Sequence, residues 1–229
     1  MQQQWIIVSV GGSLIVPNEI DTEFVASLKD LITAHVAKGT RFVIITGGGK
    51  TARRYQHAAA SLTPLDAEDL DWLGIHATRL NGHLVRTIFK DLAHPTVIKR
   101  FDEIDTSITA PILIAAGDKP GHSTDYDAVA IAETLGATSV VNLSDTDYIY
   151  DSDPHTNPNA KPFKEIDWDT FRSLIPDTWD PGLSSPFDPI AAQKAQELGL
   201  EVAQINGKTL HAFDAYLKGE DFTGTRIHP

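Results

Sequence analysis

Arg41-Phe42-Val43-Ile44-Ile45-Thr46 runs directly into Gly47-Gly48-Gly49-Lys50-Thr51-Ala52, and Ala-rich helical sequence follows through Ala60. A short β-branched run halted by glycine predicts a buried strand entering a tight turn, with a helix behind it. Trp5 to Val10, stopped by Gly11-Gly12-Ser13, repeats the pattern. Its helix begins at Asp21, because Phe24, Val25, Leu28, Leu31, Ile32 and Val36 recur at helical spacing, and Gly39 supplies a C-terminal cap. A third unit joins Ile112 to Ala116, the turn Gly117-Asp118-Lys119-Pro120-Gly121, and a helix capped by Thr124 or Asp125 that reaches Leu135. Three strand–glycine–helix units in one chain predict an α/β architecture.

Between the second and third units, Asp66 caps a predicted long helix in which Leu70, Leu73, Ala77, Leu80, Leu84, Ile88 and Leu92 form one stripe, ending before Pro95. Ser139 to Leu143 reads as a further strand. A Tyr- and Asp-rich hairpin-like stretch and a surface loop from Pro154 to Pro162 come next. Asp188-Pro189 is a strong helix start, since Asp is an N-cap acceptor and Pro at the first helical position loses no needed N–H. That helix reaches about Leu198; Glu201 to Ile205 is a strand, Asn206-Gly207 a turn and Thr209 to Leu217 a final helix. Thr96 to Ala110 and Pro154 to Pro186 are less regular.

At 229 residues, with 41% hydrophobic and 22% charged residues, the chain suits one globular domain with a sizeable core. Its 31 acidic against 19 basic residues give a net charge of -12, which excludes a sequence-independent nucleic-acid binder. The absence of cysteine excludes disulfides, thiolate metal sites and thiol nucleophiles. Met1-Gln2-Gln3-Gln4-Trp5 carries neither a basic leader nor a long apolar run, so no membrane association and a cytoplasmic location are expected.

The glycine string is the strongest chemical signal. Successive glycines between a strand and a helix let backbone N–H groups approach an anion, and the helix N-terminus adds partial positive charge. Lys50, Arg53 and Arg54 place cations beside it in an otherwise acidic chain. A P-loop is excluded, because its first glycine would fall on Ile44. The dinucleotide pattern is a poor fit as well, since the residues leading to Asp71 read as helix rather than strand. Three glycine turns gathered at the carboxyl edge of one sheet could instead grip a polyphosphate from several sides. Asp145, Asp147, Asp151 and Asp153 alternate in a way that could orient Mg²⁺ or lysines, or could simply be a solvated turn. His76 and His83 read as ordinary helix residues, whereas His122 lies inside a glycine turn, where a substrate contact and a structural role are both open.

Taken together, the strings Val10-Gly11-Gly12-Ser13, Gly47 to Arg53, Pro120-Gly121-His122-Ser123-Thr124-Asp125, Asp147 with Tyr150 and Asp153-Pro154, Asp188-Pro189-Ile190-Ala191-Ala192, and Gly224 to Pro229 resemble the amino acid kinase family. The pattern is that of its archaeal-type UMP kinase branch, over nearly the whole chain. The resemblance implies a three-layer α/β/α sandwich around a mainly parallel sheet, formed by one domain over residues 1–229. An acceptor half at about 1–135 would be followed by an ATP half at about 136–229. It implies transfer of the ATP γ-phosphoryl group to UMP, with Mg²⁺ carried by the phosphates, in a homo-oligomer that is hexameric by analogy. Gly12, Ser13, Gly49 and Arg53 match positions that hold the donor phosphates, and Gly48 one that approaches the acceptor. Asp71 matches the carboxylate on the UMP ribose, and Asp118, Lys119, Pro120, Gly121, His122, Ser123 and Thr124 match the loop around the acceptor. Ser144, Asp145, Tyr150 and Asp153 match positions lining the ATP base and ribose. For the chemistry, Asp147 would organise the cations, Lys50 and Arg53 would neutralise phosphate charge, and the helix start at Asp188 would bring N–H groups to the donor.

The chain also departs from that family. Ser9 stands where many members carry Lys, and the lysine that should follow the Asp188-Pro189 pair falls on Gln193, with Lys194 one step later and turned by about 100° on a helix. Asp125-Tyr126-Asp127-Ala128 carries one extra residue. Alternative functions on the same fold are transfer to another acceptor, such as isopentenyl phosphate or a carboxylate, and a non-catalytic nucleotide- or oxoanion-binding module. Asp71 favours a ribose over a lipid tail.

Overall fold

The computed structural model describes residues 5–154, 156–178 and 185–229. The reading of Met1 to Gln4, and parts of the irregular stretch between Pro154 and Pro186, lie outside the described residues. A seven-stranded sheet runs in the order β3-β2-β1-β4-β8-β9-β7. It is built from β1 (Trp5–Val10), β2 (Arg41–Thr46), β3 (Ile112–Ala115), β4 (Ser139–Ser144), β7 (Glu165–Asp167), β8 (Glu201–Asn206) and β9 (Thr225–His228). Every pairing is parallel except β8 with β9, so the expected mainly parallel sheet is present. A separate antiparallel pair, β5 (Ile149–Tyr150) with β6 (Pro162–Phe163), is the hairpin-like stretch.

The strands read as almost continuous apolar runs because helices cover both faces of the sheet. Alternation along them divides the core: Ile7, Val43, Ile45, Leu113 and Val140 face one layer, and Val8, Val10, Phe42, Ile44 and Val141 the other. The first layer is closed by α5 (Thr124–Leu135), α6 (Trp168–Ser173) and α7 (Pro189–Glu197). The second is closed by α1 (Gly12–Ile15), α2 (Thr22–Val36), α4 (Ala67–Ile88) and α8 (His211–Leu217). The remaining helix, α3 (Gly49–Ala60), packs against α4. This is the three-layer α/β/α arrangement. The chain winds outward from β1 to β2 and β3 and then returns to place β4 on the opposite side of β1. That reversal opens a crevice at the carboxyl ends of β1 and β4, the place where open α/β sheets bind ligands.

Several sequence expectations need correction. The α4 stripe is partly shifted: Ala77 is buried, and Leu84, Ile88 and Leu92 pack against the core as read, but the buried face also takes Ile75, Thr78, Asn81, Gly82 and Val85, while Leu80 is 63% exposed and the helix ends at Ile88 rather than Leu92. The cause is a close approach. The inward face lies on the glycine turns, where a Cβ on Gly82 would already stand 3.3 Å from Thr46 Oγ1, so bulky leucines are pushed to the flank. Helix α5 is capped by Ser123, whose Oγ accepts from the Asp125 amide, and not by Thr124 or Asp125. The last helix starts at His211, two residues later than expected. The short elements α1, α6, β7 and β9 were not anticipated. The Asp66 and Asp188 caps stand as read: Asp66 accepts from Asp69, and Asp188 from Ile190 and Ala191.

Candidate active site

The turns after β1 and β2 interlock backbone to backbone. A Cβ on Gly12 would fall inside the van der Waals envelope of Gly49 N and stand 2.6 Å from Gly47 C, so only glycine fits there. Gly49 opens α3 at φ +61°, a conformation that L side chains resist. Polar groups on the inner face of α4 hold the assembly from behind. Asn81 Nδ2 donates to Gly47 O at 2.8 Å and to Gly48 O at 3.3 Å, and Thr78 Oγ1 accepts from Gly117 N at 2.8 Å. Arg79 spans the third turn, donating to Gly117 O and Asp118 O. Sequence reasoning missed these three residues. No sequence signal marked them, because α4 carries polar or charged residues on every turn.

A cavity of about 270 Å³ opens between α3, α4 and the loop entering α5. It collects Gly48, Gly49, Arg53, Asp71, Lys119, His122, Ser123 and Thr124, eight residues singled out from sequence, and adds Gln56 and Asp127, which were not. Asp71 Oδ2 accepts from Gly121 N at 2.8 Å. Burial pushes the Asp71 carboxyl above its ordinary value, against the Gly121 N–H and His122, which hold it down. Pro120 lies within the same loop, and Asp118 faces a second cavity of about 780 Å³ on the loop's far side.

The other sequence-derived residues lie elsewhere on the carboxyl edge and do not line the cavity of Asp71 and Arg53. Gly12 is buried under the turns and Ser13 is half-buried beside it. Ser144 ends β4 and is bonded by Gln204 and Thr146. Asp147 accepts from Asn206 Nδ2 at 2.7 Å, and Asp145 O from Lys208 Nζ at 3.4 Å. Tyr150 lies edge-on to Tyr148, and Asp153 is exposed at a turn where its carbonyl accepts from Asn157. Lys50 donates to Asn18 rather than reaching into the cavity. Among the described residues no group of three or more His, Cys, Asp or Glu side chains could hold a metal ion, and no helix is long and apolar enough to cross a membrane.

Acidic groups crowd the start of α5. Ser123 N donates to Asp188 Oδ2 at 3.0 Å, Asp188 N donates to Asp125 Oδ2 at 3.3 Å, and Ser9 Oγ donates to Asp125 Oδ1 at 3.1 Å. Burial, reinforced by the Asp188 carboxylate, raises the Asp125 pKa to about 7. Gln193 binds Glu197 on the exposed side of α7, and Lys194 Nζ pairs with Glu133 at 2.6 Å, lining the second cavity.

Comparison with known proteins agrees with this geometry. The model of the amino acid kinase family matches residues 4–203. A uridylate kinase of Pyrococcus abyssi is 34% identical over 230 residues, covering 98% of this chain and 99% of its own. One from Haloarcula marismortui is 33% identical over 226 residues, covering 98% of each chain. The crystal structure of uridylate kinase from Archaeoglobus fulgidus superposes with a TM-score of 0.82 at 26% identity, covering 98% of this chain and all of that one.

Proposed function

The chain belongs to the amino acid kinase family, and from that premise we propose that it is a UMP kinase, transferring the γ-phosphoryl group of ATP to UMP to give ADP and UDP. The observation that carries this reading is the single cavity in which Gly48, Arg53 and the loop from Lys119 to Thr124 face Asp71. A nucleoside monophosphate needs such a set: N–H groups and a guanidinium for the phosphate, and a carboxylate for the ribose hydroxyls. One Asp71 oxygen is occupied by Gly121 N, which ties the ribose-binding group to the acceptor loop.

The acceptor phosphate is itself the nucleophile and needs no strong base, so the protein's work is alignment and neutralisation of charge. The N-terminus of α3 and Arg53 face the transferred group, and Asp71 fixes the acceptor's rotation. Asp145, Ser144, Tyr150 and Asp153, at the ends of β4 and β5, are proposed to hold the donor nucleoside. The metal is proposed to arrive on ATP, carried by its phosphates. Mg²⁺ supplies charge neutralisation between the phosphates, and Asp147, with one oxygen held by Asn206, is the carboxylate proposed to orient it. The partly exposed Trp72 and the exposed Leu80 on α4 are proposed to be covered by a second copy in a homo-oligomer.

The test is a panel of acceptors incubated with MgATP and scored for ADP release. UMP is expected to dominate; turnover with isopentenyl phosphate or a carboxylate but not with UMP would replace the assignment.

A further inference from the structure

His122 and Asp127 occupy the same wall of the acceptor cavity. Their side chains are only 10% and 2% exposed, and His122 Nδ1 stands 3.3 Å from Asp127 Oδ1. The Tyr126 ring stacks on the imidazole with centroids 4.4 Å apart. Among the described residues, neither ring nitrogen of His122 nor Oδ1 of Asp127 is in hydrogen-bond geometry with any partner. Polar atoms buried in that way are costly unless a ligand or a small adjustment satisfies them. The Asp127 carboxyl stands within reach of Nδ1, and the Ser123 backbone also acts on the imidazole.

A carboxyl facing Nδ1 controls what the far nitrogen does. With one proton between them, either as O–H···Nδ1 or as O⁻···H–Nδ1, the ring also carries hydrogen on Nε2, which is a donor. When the pair loses that proton, the remaining ring hydrogen sits on Nδ1 against the carboxylate, and Nε2 presents a lone pair. We infer that Asp127 is a positioning residue that sets, through the proton it shares with His122 Nδ1, whether His122 Nε2 offers the phosphoryl acceptor a hydrogen-bond donor. The inference rests on the UMP kinase reading only for the identity of that acceptor.

The surroundings favour the donor form. Burial, then Asp118, pushes the Asp127 carboxyl well above its ordinary value, although the Asp118 amide opposes this. Burial also draws His122 down. The charged groups facing the pair are Asp118 and Lys119 on the loop, Asp125 on α5, Asp188 at the start of α7, Asp71 on α4 and Arg53 on α3, and, around the second cavity that His122 also lines, Arg79, Lys99, Arg100, Asp102, Glu133 and Lys194. The carboxylates that act on Asp127, Asp118 first and then Asp125 and Asp188, favour retention of the shared proton. An oxygen of the acceptor nucleotide, on either the phosphate or the pyrimidine ring, is therefore met by Nε2–H.

Two measurements test this. In the free enzyme, ¹⁵N-histidine NMR should show His122 with hydrogen on Nε2 while the pair holds its shared proton, passing to the Nδ1–H form as pH rises. In Asp127→Asn the amide oxygen takes over the bond from the Asp118 amide and its NH₂ donates to Nδ1, so Nε2–H should persist across the range. In turnover, the wild-type KM for UMP should rise at least about tenfold on the alkaline side of the pair's titration with kcat little changed, and Asp127→Asn should flatten that limb. Asp125→Asn removes the other raised carboxyl of α5, so a limb that persists in this variant belongs to the His122–Asp127 pair. CMP separates the two oxygen sources: a ring contact makes CMP improve relative to UMP as Nε2 becomes an acceptor, whereas a phosphate contact weakens both equally. If Asp127→Asn fails to fold, His122→Gln, an amide donor that does not titrate, should give the same flat profile. An Nδ1–H tautomer throughout in the wild type, or identical pH profiles for the wild type and the folded variant, would overturn the inference. Absence of UMP turnover would refute the function while leaving the NMR arm intact.

Discussion

Replacing Asp125 by Asn removes one proton equilibrium from the protein while keeping its shape. The carboxyl lies at the start of α5, held by Ser9 Oγ at 3.1 Å and the Asp188 amide at 3.3 Å. An Asn side chain satisfies both, its oxygen accepting from Asp188 N and its NH₂ donating to a rotated Ser9 hydroxyl. In the wild type, desolvation and then the Asp188 carboxylate raise the Asp125 pKa from 3.8 to about 7. The raised value means that the native state keeps a proton which the unfolded chain has already lost. Stability should therefore fall as pH rises from the unfolded pKa toward about 7 and level off above it. At about 1.4 kcal/mol per unit, the full shift corresponds to about 4 kcal/mol. Asp125 keeps some contact with solvent, so a working figure of about 2 kcal/mol is appropriate for the interval from pH 5 to pH 8. Denaturant unfolding of both proteins at a series of pH values isolates the term together with its coupling to Asp127, because titrations remote from Asp125 cancel in the difference. Asp125→Asn should gain about 2 kcal/mol on the wild type across that interval. A difference that stays flat with pH would mean that Asp125 is ionised throughout and that its enclosure has been misjudged.

Arg53→Ala should lower kcat/KM by at least about 10², equivalent to about 2.7 kcal/mol, with little change in folding stability, as steady-state kinetics and thermal unfolding would show. Asp71→Asn should raise the KM for UMP far more than that for ATP, since the lost hydrogen bonds belong to the acceptor ribose; equal effects would remove that role. Lys194→Ala should leave turnover within about threefold of wild type, because its ammonium is committed to Glu133 on the far side of α5. Leu80→Glu should shift the sedimentation profile toward smaller species, as the side chain is 63% exposed on the face proposed to be covered.

The main parallel strands and the three glycine turns were legible because each is set by local chemistry: a β-branched run, then glycines that no other residue can replace. Asp66 and Asp188 were legible as caps for the same reason. The α4 face was not, since its buried side is small and polar, and hydrophobic counting points to the leucines on its flank. Nothing in the sequence spacing of Thr78, Asn81 and Arg79 reveals that they hold turns more than thirty residues away in the chain, as Thr78 and Arg79 do with Gly117 and Asn81 with Gly47. Strands β7 and β9 escaped because they are three and four residues long and acquire their meaning only by pairing with each other and with β8. Asp127 was visible as an extra acid in Asp125-Tyr126-Asp127, but its position facing His122 depends on the loop folding back over α5.

The two lysines that the family resemblance led one to expect leave a charge problem, and the structure indicates how it is met. Ser9 offers a hydroxyl to Asp125 where an ammonium would have held that carboxyl ionised, and Gln193 turns outward to Glu197. Lys194 does not substitute, being paired with Glu133 near the Tyr126 ring. The cations that remain at the proposed acceptor cavity are Arg53 and Lys119, beside the N-terminus of α3 and its partial positive charge. With so few positive charges, a cluster of ionised Asp125, Asp127 and Asp188 would repel both nucleotides. Burial raises both carboxyls, with Asp188 acting on Asp125 and with Asp118, then Asp125 and Asp188, acting on Asp127, so the cluster lowers its own negative charge by retaining protons. Protonation of Asp125 and Asp127 thus reduces the repulsion that the missing lysines would otherwise offset, and it ties the proposed phosphoryl transfer to pH through groups that do not touch the transferred phosphate.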